Sequence, residues 1–528
     1  MTLPHGRRRP EPPTARRSLK HGMSFAAISF IASALIQLVS SIVTARLYGV
    51  EIIGQVALAM APAAVLALLS TVREQPALVA RIAHYPPRHE FVTGLWLATF
   101  SFSAALTLAL AVPVLLASFA LLAGPIGHPE LQAPAAVHMA GYLCLANPSW
   151  NLDSIFSAYG DGKRLFYVRT QEALITLAAV IALSSHPTYW APIIGILFAW
   201  AICLVQRIVY VRLWIRLRVP TQSIRAGFGE LGAVIRFGLK MTPGALANGI
   251  TTQAGTWALG LVAPVAIVGA WSRAWGISSR FVEVNWRIAE MAFPALVARM
   301  AKADVEGADR VYVTAIRYAT VFLLAIAAVG AGASESIMRF FGPGFELAAP
   351  ALALTLIVPW SATIGSLQGA LLLALNRPSA TSHIALATCA IALCLTATLT
   401  PLIGVTGPAI ALLASCLIAN LFSLRVTGRH FSASYRRYWP YRERIAVVTA
   451  ALIALSLARL LSEEIAGALG LVVSLIGATA AYGGVLALAG GVSARDREII
   501  ALAVQRLSSG RLRRFTATRR AGMSRSRR

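Results

Sequence analysis

Long apolar runs separated by short polar segments recur along almost the whole chain. A run of roughly 18 apolar residues with few charges is long enough, as a helix, to cross a bilayer core of about 30 Å. Lipid offers no hydrogen-bond partner to an open sheet edge, so each run is predicted to be an α-helix. The pattern predicts about fourteen membrane spans, at residues 24–47, 52–72, 91–123, 135–158, 168–185, 189–214, 238–262, 265–289, 311–333, 347–375, 380–399, 403–424, 445–461 and 466–490.

The composition fits a membrane protein rather than a soluble domain. The chain of 528 residues is 57% hydrophobic and 13% charged, whereas soluble domains carry roughly 25% charged residues. Its net charge of +26 would suggest nucleic-acid binding in a soluble protein, but no loop is long enough to fold into a recognition domain. We therefore predict no nucleic-acid partner, and contact between the basic segments and anionic membrane lipids.

The distribution of basic residues predicts the orientation of the chain. With the N-terminus placed inside, the cytoplasmic segments hold 41 of the 47 Lys and Arg residues, as the positive-inside rule requires. The outer loops at 124–134, 186–192 and 400–407 hold none. An even number of spans with both termini in the cytoplasm follows. Three basic cytoplasmic segments are predicted, namely a tail at 1–23, a loop at 425–444 and a tail at 491–528.

The two ends of the chain carry further predictions. Residues 1–22 lead directly into an apolar run that is too long for a cleavable signal peptide, so that run is predicted to be a retained span. The C-terminal tail, from about Ser493, is either a short amphipathic helix on the inner leaflet or a plain solvated tail. The five cysteines lie in apolar runs without metal-ligand spacing, so we predict core residues, no metal site and no cofactor.

An internal repeat is visible when the sequence is shifted by 215 residues. Val50, Ile52, Ile53 and Gly54 then fall on Val265, Ile267, Val268 and Gly269, and Asp153 falls on Gln368. The shared offset predicts two six-helix lobes in parallel orientation, at 24–214 and 238–424, joined by a cytoplasmic linker at 215–237. Helices 13 and 14 (445–490) are an addition. Transporters use such parallel lobes to hold a substrate between them.

Charged residues in the eighth span are the clearest candidates for a site. Arg273, Arg280, Glu283, Arg287 and Glu290 lie within an arc of about 100° on one helix face. Trp271 and Trp275 flank Arg273. Such a stripe on an aqueous cleft could hold a phosphate by forked hydrogen bonds and a sugar by stacking. Alternatively, Arg280–Glu283 and Arg287–Glu290 are internal ion pairs, an explanation that does not extend to Arg273.

Three other spans carry polar side chains at membrane depth. Gln37 in span 1, and Asn248 and Gln253 in span 7, either line a hydrated path or make interhelical hydrogen bonds. Asp153 in span 4 either contacts substrate or caps against the loop at 159–169. Arg46 lies beside an outer turn and is predicted to snorkel toward the membrane surface.

Three motifs carry a family resemblance. They are TARLYGVEIIGQVALAMA (44–61), FGLKMTPGALANGI (237–250) and LLLALNRPSATSHIAL (371–386). The chain resembles the polysaccharide, or O-antigen type, flippases of the multidrug/oligosaccharidyl-lipid/polysaccharide exporter superfamily. The resemblance implies fourteen helices in two lobes and a central cationic cavity. It also implies export of polyprenyl-pyrophosphate-linked glycans by alternating access. Arg273 and Arg280 match the cavity arginines of the second lobe, whereas span 1 lacks a central arginine and departs from the family pattern.

These observations favour one function and leave others open. The main prediction is a flippase that moves a lipid-linked oligosaccharide across the cytoplasmic membrane for cell-surface polysaccharide synthesis. A polysaccharide polymerase or assembly proteins are its expected partners. The alternatives are a lipid II flippase and a cation-coupled multidrug exporter, although span 1 has no acid for cation coupling. A membrane enzyme is disfavoured because the outer loops are short. The predicted substrate contacts are Arg273, Arg280, Trp271, Trp275, Glu283, Arg287, Gln37, Asn248, Gln253 and Asp153.

Overall fold

The computed structural model describes residues 14–491 apart from 71–73, 84, 217–219, 240–241, 301, 303, 376–377, 432–438 and 466. The described residues contain helices and no strand. The helices are α1 (Thr14–Leu69), α2 (Glu74–Ile82), α3 (Glu90–Ala123), α4 (Gln132–Gly141), α5 (Asn147–Ala158), α6 (Gly162–Ala182), α7 (Trp190–Val211), α8 (Thr221–Leu239), α9 (Thr242–Val262), α10 (Val265–Met300), α11 (Val305–Gly332), α12 (Ser334–Phe341), α13 (Ala349–Thr355), α14 (Val358–Ala374), α15 (Pro378–Ile403), α16 (Thr406–Phe431), α17 (Tyr441–Glu464) and α18 (Gly467–Leu488).

The helices follow the apolar runs of the sequence, which confirms the predicted polytopic α-helical fold. Ten described segments are long and apolar enough to cross a membrane. One of them, 36–69, includes the second half of predicted span 1 and most of predicted span 2 and is interrupted at Gly49, whose φ is 75°. Span 4 is not among the ten, because a π-helical turn divides it into the shorter helices α4 and α5. Helices α9 and α10, which carry the polar and charged residues of spans 7 and 8, are not among them either. The count of fourteen spans stays a prediction.

The two halves of the chain repeat one pattern of helix pairing. In the first half α6 packs against both α1 and α7. In the second half α15, which the 215-residue offset places on α6, packs against α9 and α16. The C-terminal pair α17 and α18 forms a hairpin that lies against α11. This pairing confirms two repeated lobes with two added helices, and the residue boundaries of the lobes remain predictions.

A glycine contact joins the two lobes where spans 2 and 8 begin. A Cβ added to Gly54 would lie 2.0 Å from the carbonyl oxygen of Val265. A Cβ added to Gly269 would lie 2.0 Å from the carbonyl oxygen of Val50. Adding 215 to the residue numbers of Val50 and Gly54 gives Val265 and Gly269, so the two contacts are equivalent in the repeat. The lobes are therefore related by a pseudo-twofold axis through this contact, which follows the same register that the sequence repeat predicts.

Two segments predicted as cytoplasmic loops contain helices. The loop at 73–90 includes α2, and the linker at 215–237 is largely α8. Gly94 of α3 would place a Cβ 2.1 Å from the carbonyl oxygen of Ser223, so α8 packs directly on α3. Both helices were missed because they are amphipathic rather than uniformly apolar. The linker thus belongs structurally to the first lobe.

The ends of the chain differ from the prediction in one respect. Helix α1 begins at Thr14, ten residues before the predicted start of span 1 at residue 24. The remainder of the predicted N-terminal tail, residues 1–13, lies outside the described residues. So do 492–528, which include the predicted amphipathic helix of the C-terminal tail.

Candidate substrate site between the two lobes

Arg273 bridges the two lobes through a single hydroxyl group. It lies eight residues after the start of α10, about 12 Å along the helix. Its Nη1 donates a hydrogen bond of 2.9 Å to Oγ of Ser41 in α1. Ser41 lies eight residues before Gly49, so both groups are at a similar distance from the predicted outer end of the membrane. Span 8 therefore presents a cation to span 1 across the lobe interface.

The environment of this guanidinium leaves its charge without a counter-ion. Nε of Arg273 is buried and has no hydrogen-bond partner, and no carboxylate among the described residues forms an ion pair with the side chain. A buried charge that meets only a neutral hydroxyl is costly in a low dielectric. An anionic ligand would remove that cost and would use the vacant N–H donors of the guanidinium.

On the other side of the interface, the position equivalent to Arg273 in the repeat holds an apolar residue. The offset places Leu58 on Arg273 and Thr256 on Ser41. Leu58 is fully buried, and its side chain packs against Gly260 of α9. The contact of span 1 with span 8 is therefore polar, whereas the contact of span 2 with span 7 is apolar.

The two predicted tryptophans stack on each other but do not form an open wall. Their ring centroids are 6.4 Å apart and the planes are nearly parallel. Trp271 is 2% exposed and packs against Gly255 of α9, which also lies close to Pro408 of α16. Trp275 is only partly buried. In this conformation Trp271 belongs to a buried apolar cluster that contains residues of both lobes, so a sugar could reach it only after a movement of these helices.

The other predicted residues are spread along the interface. Gln37 is half-buried one turn from Ser41, on the same side of α1. Arg280 is exposed, two turns further along α10 on the face of Arg273. On α9, Asn248 is exposed and Gln253 is half-buried. The side chains of Glu283 and Arg287 lie outside the described residues. Among the described candidates, the structure thus places Gln37 and Arg280 nearest in register to the Arg273–Ser41 pair.

Asp153 is held in an ion cluster inside the first lobe. Nε of Arg207 lies 2.9 Å from Oδ1 of Asp153, and Nη2 of Arg207 lies 3.1 Å from Oε2 of Glu172. Nη2 of Arg169 lies 3.6 Å from Oδ2 of Asp153. The cluster connects α5, α6 and α7 away from the lobe interface. Arg207 lies within predicted span 6 (189–214), but its pairing with Asp153 was not predicted, and contact of Asp153 with substrate stays a prediction.

Arg46 also has a role that the sequence did not predict. Its Nε donates a 2.8 Å hydrogen bond to the carbonyl oxygen of Phe340 in α12, and its guanidinium lies 4.9 Å above the Phe340 ring. The residue was predicted to snorkel to the membrane surface. These contacts link the turn between spans 1 and 2 to the second lobe, beside the glycine contact, and the snorkelling of Arg46 stays a prediction. The predicted outer end of the interface is therefore closed.

Comparison with known proteins supports a transporter architecture. A family model described as "polysaccharide biosynthesis protein" matches residues 19–297. A solved structure of the lipid II flippase MurJ in an inward closed conformation superposes with a TM-score of 0.68 at 14% identity, covering 90% of this chain and 99% of that one.

An inward-facing multidrug resistance transporter of the MATE family, in the MOP superfamily, gives a TM-score of 0.57 at 15% identity. That match covers 77% of this chain and 95% of the transporter. No curated protein matches the sequence. The likeness to both structures shows a shared fold at low sequence identity.

Proposed function

Because the chain belongs to the polysaccharide biosynthesis protein family, we propose that it is a flippase for a polyprenyl-pyrophosphate-linked oligosaccharide. It would carry this lipid-linked glycan across the cytoplasmic membrane for synthesis of a cell-surface polysaccharide. Both termini would lie in the cytoplasm. The two lobes would alternate access to a site between them, without a chemical reaction on the substrate.

The observation that carries the proposal is the Arg273 guanidinium at the lobe interface, which has no carboxylate partner among the described residues. A diphosphate supplies the anionic oxygens that a forked guanidinium binds best. Among the described residues Ser41 is the single partner recorded for this cation, and a hydroxyl is readily displaced by a charged group. Arg280, on the same face of α10, would receive the substrate on the predicted cytoplasmic side.

A lipid II flippase is the second candidate, supported by the structural likeness to MurJ. Lipid II is also a polyprenyl diphosphate, so the guanidinium chemistry serves both substrates equally. The glycan distinguishes them. A multidrug exporter is less compatible with this interface because a buried cation repels cationic drugs.

Transport of a defined substrate tests the proposal. The purified chain would be placed in liposomes with a fluorescent polyprenyl-pyrophosphate-linked oligosaccharide, and translocation would be followed by quenching from outside. Arg273→Ala should lower the rate about 10- to 100-fold, the range expected for loss of hydrogen bonds to a charged group. Arg273→Lys should recover part of it, because lysine keeps the charge but not the fork.

Arg339→Ala is the matched control. Arg339 is an exposed arginine on α12 that pairs with Glu335 on the same helix, and its loss should leave the rate unchanged. Translocation at the normal rate by Arg273→Ala would contradict the cationic site. Faster translocation of lipid II than of the oligosaccharide substrate would favour the second candidate.

A further inference from the structure

A groove runs along the surface of the first lobe between α6 and α7. Its lining consists of Gln171, Leu174, Ile175, Ile202, Val205 and Gln206. Leu174 and Val205 are 47% and 62% exposed, so the groove opens toward the lipid. Apolar walls suit a hydrocarbon chain, but the two glutamines require a different explanation.

The glutamines place amide groups on a lipid-facing surface. The Gln171 side chain is exposed and has no hydrogen-bond partner among the described residues. Nε2 of Gln206 donates to the hydroxyl of Tyr210 at 3.1 Å. An amide that faces hydrocarbon without a partner is costly, because the bilayer core supplies neither donors nor acceptors. The groove therefore calls for an occupant with both an apolar part and hydrogen-bonding oxygens.

One face of α6 shows a polarity gradient that matches such an occupant. Arg164, Tyr167, Gln171 and Leu174 are spaced three, four and three residues apart and so form a single stripe. The stripe runs from a cation through an aromatic ring and an amide to an apolar side chain. A phospholipid has the same order, from phosphate through ester oxygens to acyl chain.

The predicted cytoplasmic end of the groove is basic and aromatic. Nζ of Lys163 lies 5.9 Å from the Tyr167 ring, and this exposed lysine has no acidic partner in the part of the chain that the structure describes. The Arg164 guanidinium lies 5.9 Å above the Tyr210 ring and also pairs with Asp161. Long basic side chains of this kind extend to the headgroup level of a bilayer.

A similar groove on the second lobe lacks the two amides and provides an internal control. It lies along α16, the repeat equivalent of α7, and is lined by Ile418, Leu421, Phe422, Leu424 and Arg425. The 215-residue offset places Leu386 and Leu421 on Gln171 and Gln206. The amides thus distinguish the groove of the first lobe from its apolar equivalent.

We propose that the α6–α7 groove binds one anionic phospholipid from the predicted cytoplasmic leaflet. The acyl chain lies along Leu174 and Val205, the glutamine amides hydrogen-bond its ester oxygens, and Lys163 and Arg164 bind the phosphate. A second copy of the chain is a poorer occupant. A twofold axis along the membrane normal would bring the same basic ends together, and like charges repel.

Native mass spectrometry of the purified full-length chain tests this site. The chain would be equilibrated with equal amounts of phosphatidylglycerol and phosphatidylcholine that carry identical acyl chains. We expect one phosphatidylglycerol molecule per chain to be retained preferentially. The double variant Lys163→Ala with Gln171→Leu should reduce this retention about tenfold, while Arg425→Ala in the control groove should leave it unchanged.

Leu174→Trp provides a second test that keeps every charge. The larger side chain fills the groove, so it too should displace the lipid. Both groups of substitutions are on the exposed surface, and elution at the wild-type volume confirms that the fold is kept. Equal retention of the two lipids, full retention by the double variant or equal loss in Arg425→Ala would overturn the proposal. A dimer without bound lipid in the same spectra would also overturn the proposal, because it would indicate that a second chain covers the groove.

Discussion

Arg207 balances two carboxylates inside the first lobe and is almost completely shielded from solvent. It is 2% exposed and bonds to Asp153 and Glu172 from two different helices. Because one charge serves two acids, its removal leaves both without their principal partner in a medium of low dielectric. Arg169 is 53% exposed and lies 3.6 Å from Asp153, so it is a weaker partner for that acid than Arg207.

Arg207→Ala should therefore destabilise the protein strongly. Removing one partner of a buried ion pair costs about 3–5 kcal/mol, whereas the loss of an exposed partner costs about 0–1 kcal/mol. Thermal unfolding in detergent should show a large decrease in melting temperature for Arg207→Ala and a small one for Arg169→Ala. Equal decreases would show that the cluster does not depend on Arg207.

The sequence identified some of these residues and missed their partners for a physical reason. Arg273 was found because it lies at membrane depth with no acid three or four residues away on its helix. Its partner Ser41 is 232 positions distant, and helical spacing contains no information about such a contact. Trp271 was assigned to a cavity by its place near Arg273, but residues two positions apart on a helix point about 200° apart, which turns its ring into the core.

At the scale of helices, the approach of span 2 to span 8 depends on two glycines. Gly54 and Gly269 each face a carbonyl oxygen of the other lobe at a distance that excludes a Cβ. Gly276, two turns further along α10, has no neighbouring atom within 4 Å of an added Cβ. The two positions on one helix therefore differ in whether a methyl group can be accepted.

Gly269→Ala should prevent closure of the predicted outer end. Spin labels at the exposed residues His186 and Leu402, in a background without the native cysteines, would report the distance between the lobes. We expect the substitution to increase that distance by several ångströms, with Gly276→Ala as the control that leaves it unchanged. An unaltered distance in Gly269→Ala would mean that the contact does not hold the lobes together.

Arg46→Ala should shift the same distance less strongly. The substitution removes one hydrogen bond to the Phe340 carbonyl and a contact with its ring, but the backbone approach of spans 2 and 8 remains possible. We expect a broader distribution of distances between the same two labels, with the main population still closed. A fully open interface would assign the closure to Arg46 rather than to the glycines.

The helices themselves were predicted well where they are uniformly apolar. Long apolar runs placed most spans to within a few residues, and the repeat offset predicted which helices are equivalent in the two lobes. α2 and α8 escaped detection because only one face of each is apolar. The π-helical turn at Tyr142–Ala146 has no counterpart in a hydrophobicity pattern, since backbone hydrogen-bond register is not encoded by side-chain polarity alone.

For the whole molecule, the two pseudo-symmetric sides of the lobe interface are chemically different. Arg273 and Ser41 face each other on one side, and Leu58 and Gly260 on the other. The architecture was predictable from the sequence because duplicated hydrophobic patterns survive great divergence. The asymmetry became visible only when the offset and the packing were combined, since it depends on which equivalent positions meet across the interface.

The orientation of the whole chain is open to a direct test. A fluorescent protein fused after Arg528 should be bright, because it folds in the cytoplasm, and alkaline phosphatase inserted after His128 or His186 should be active outside. These outcomes follow from the concentration of Lys and Arg in alternate loops. Active phosphatase at the C-terminus would contradict an even number of spans.

The reciprocal glycine contact also has a consequence for genetics. In each half of the contact a main-chain oxygen, of Val50 or Val265, occupies the space that a side chain at the glycine would need. Every amino acid has a main-chain carbonyl oxygen, so no substitution at position 50 or 265 can remove the atom that causes the clash. A selection for suppressors of Gly269→Ala should therefore return true revertants at that codon, or changes far from it, rather than compensating substitutions at position 50.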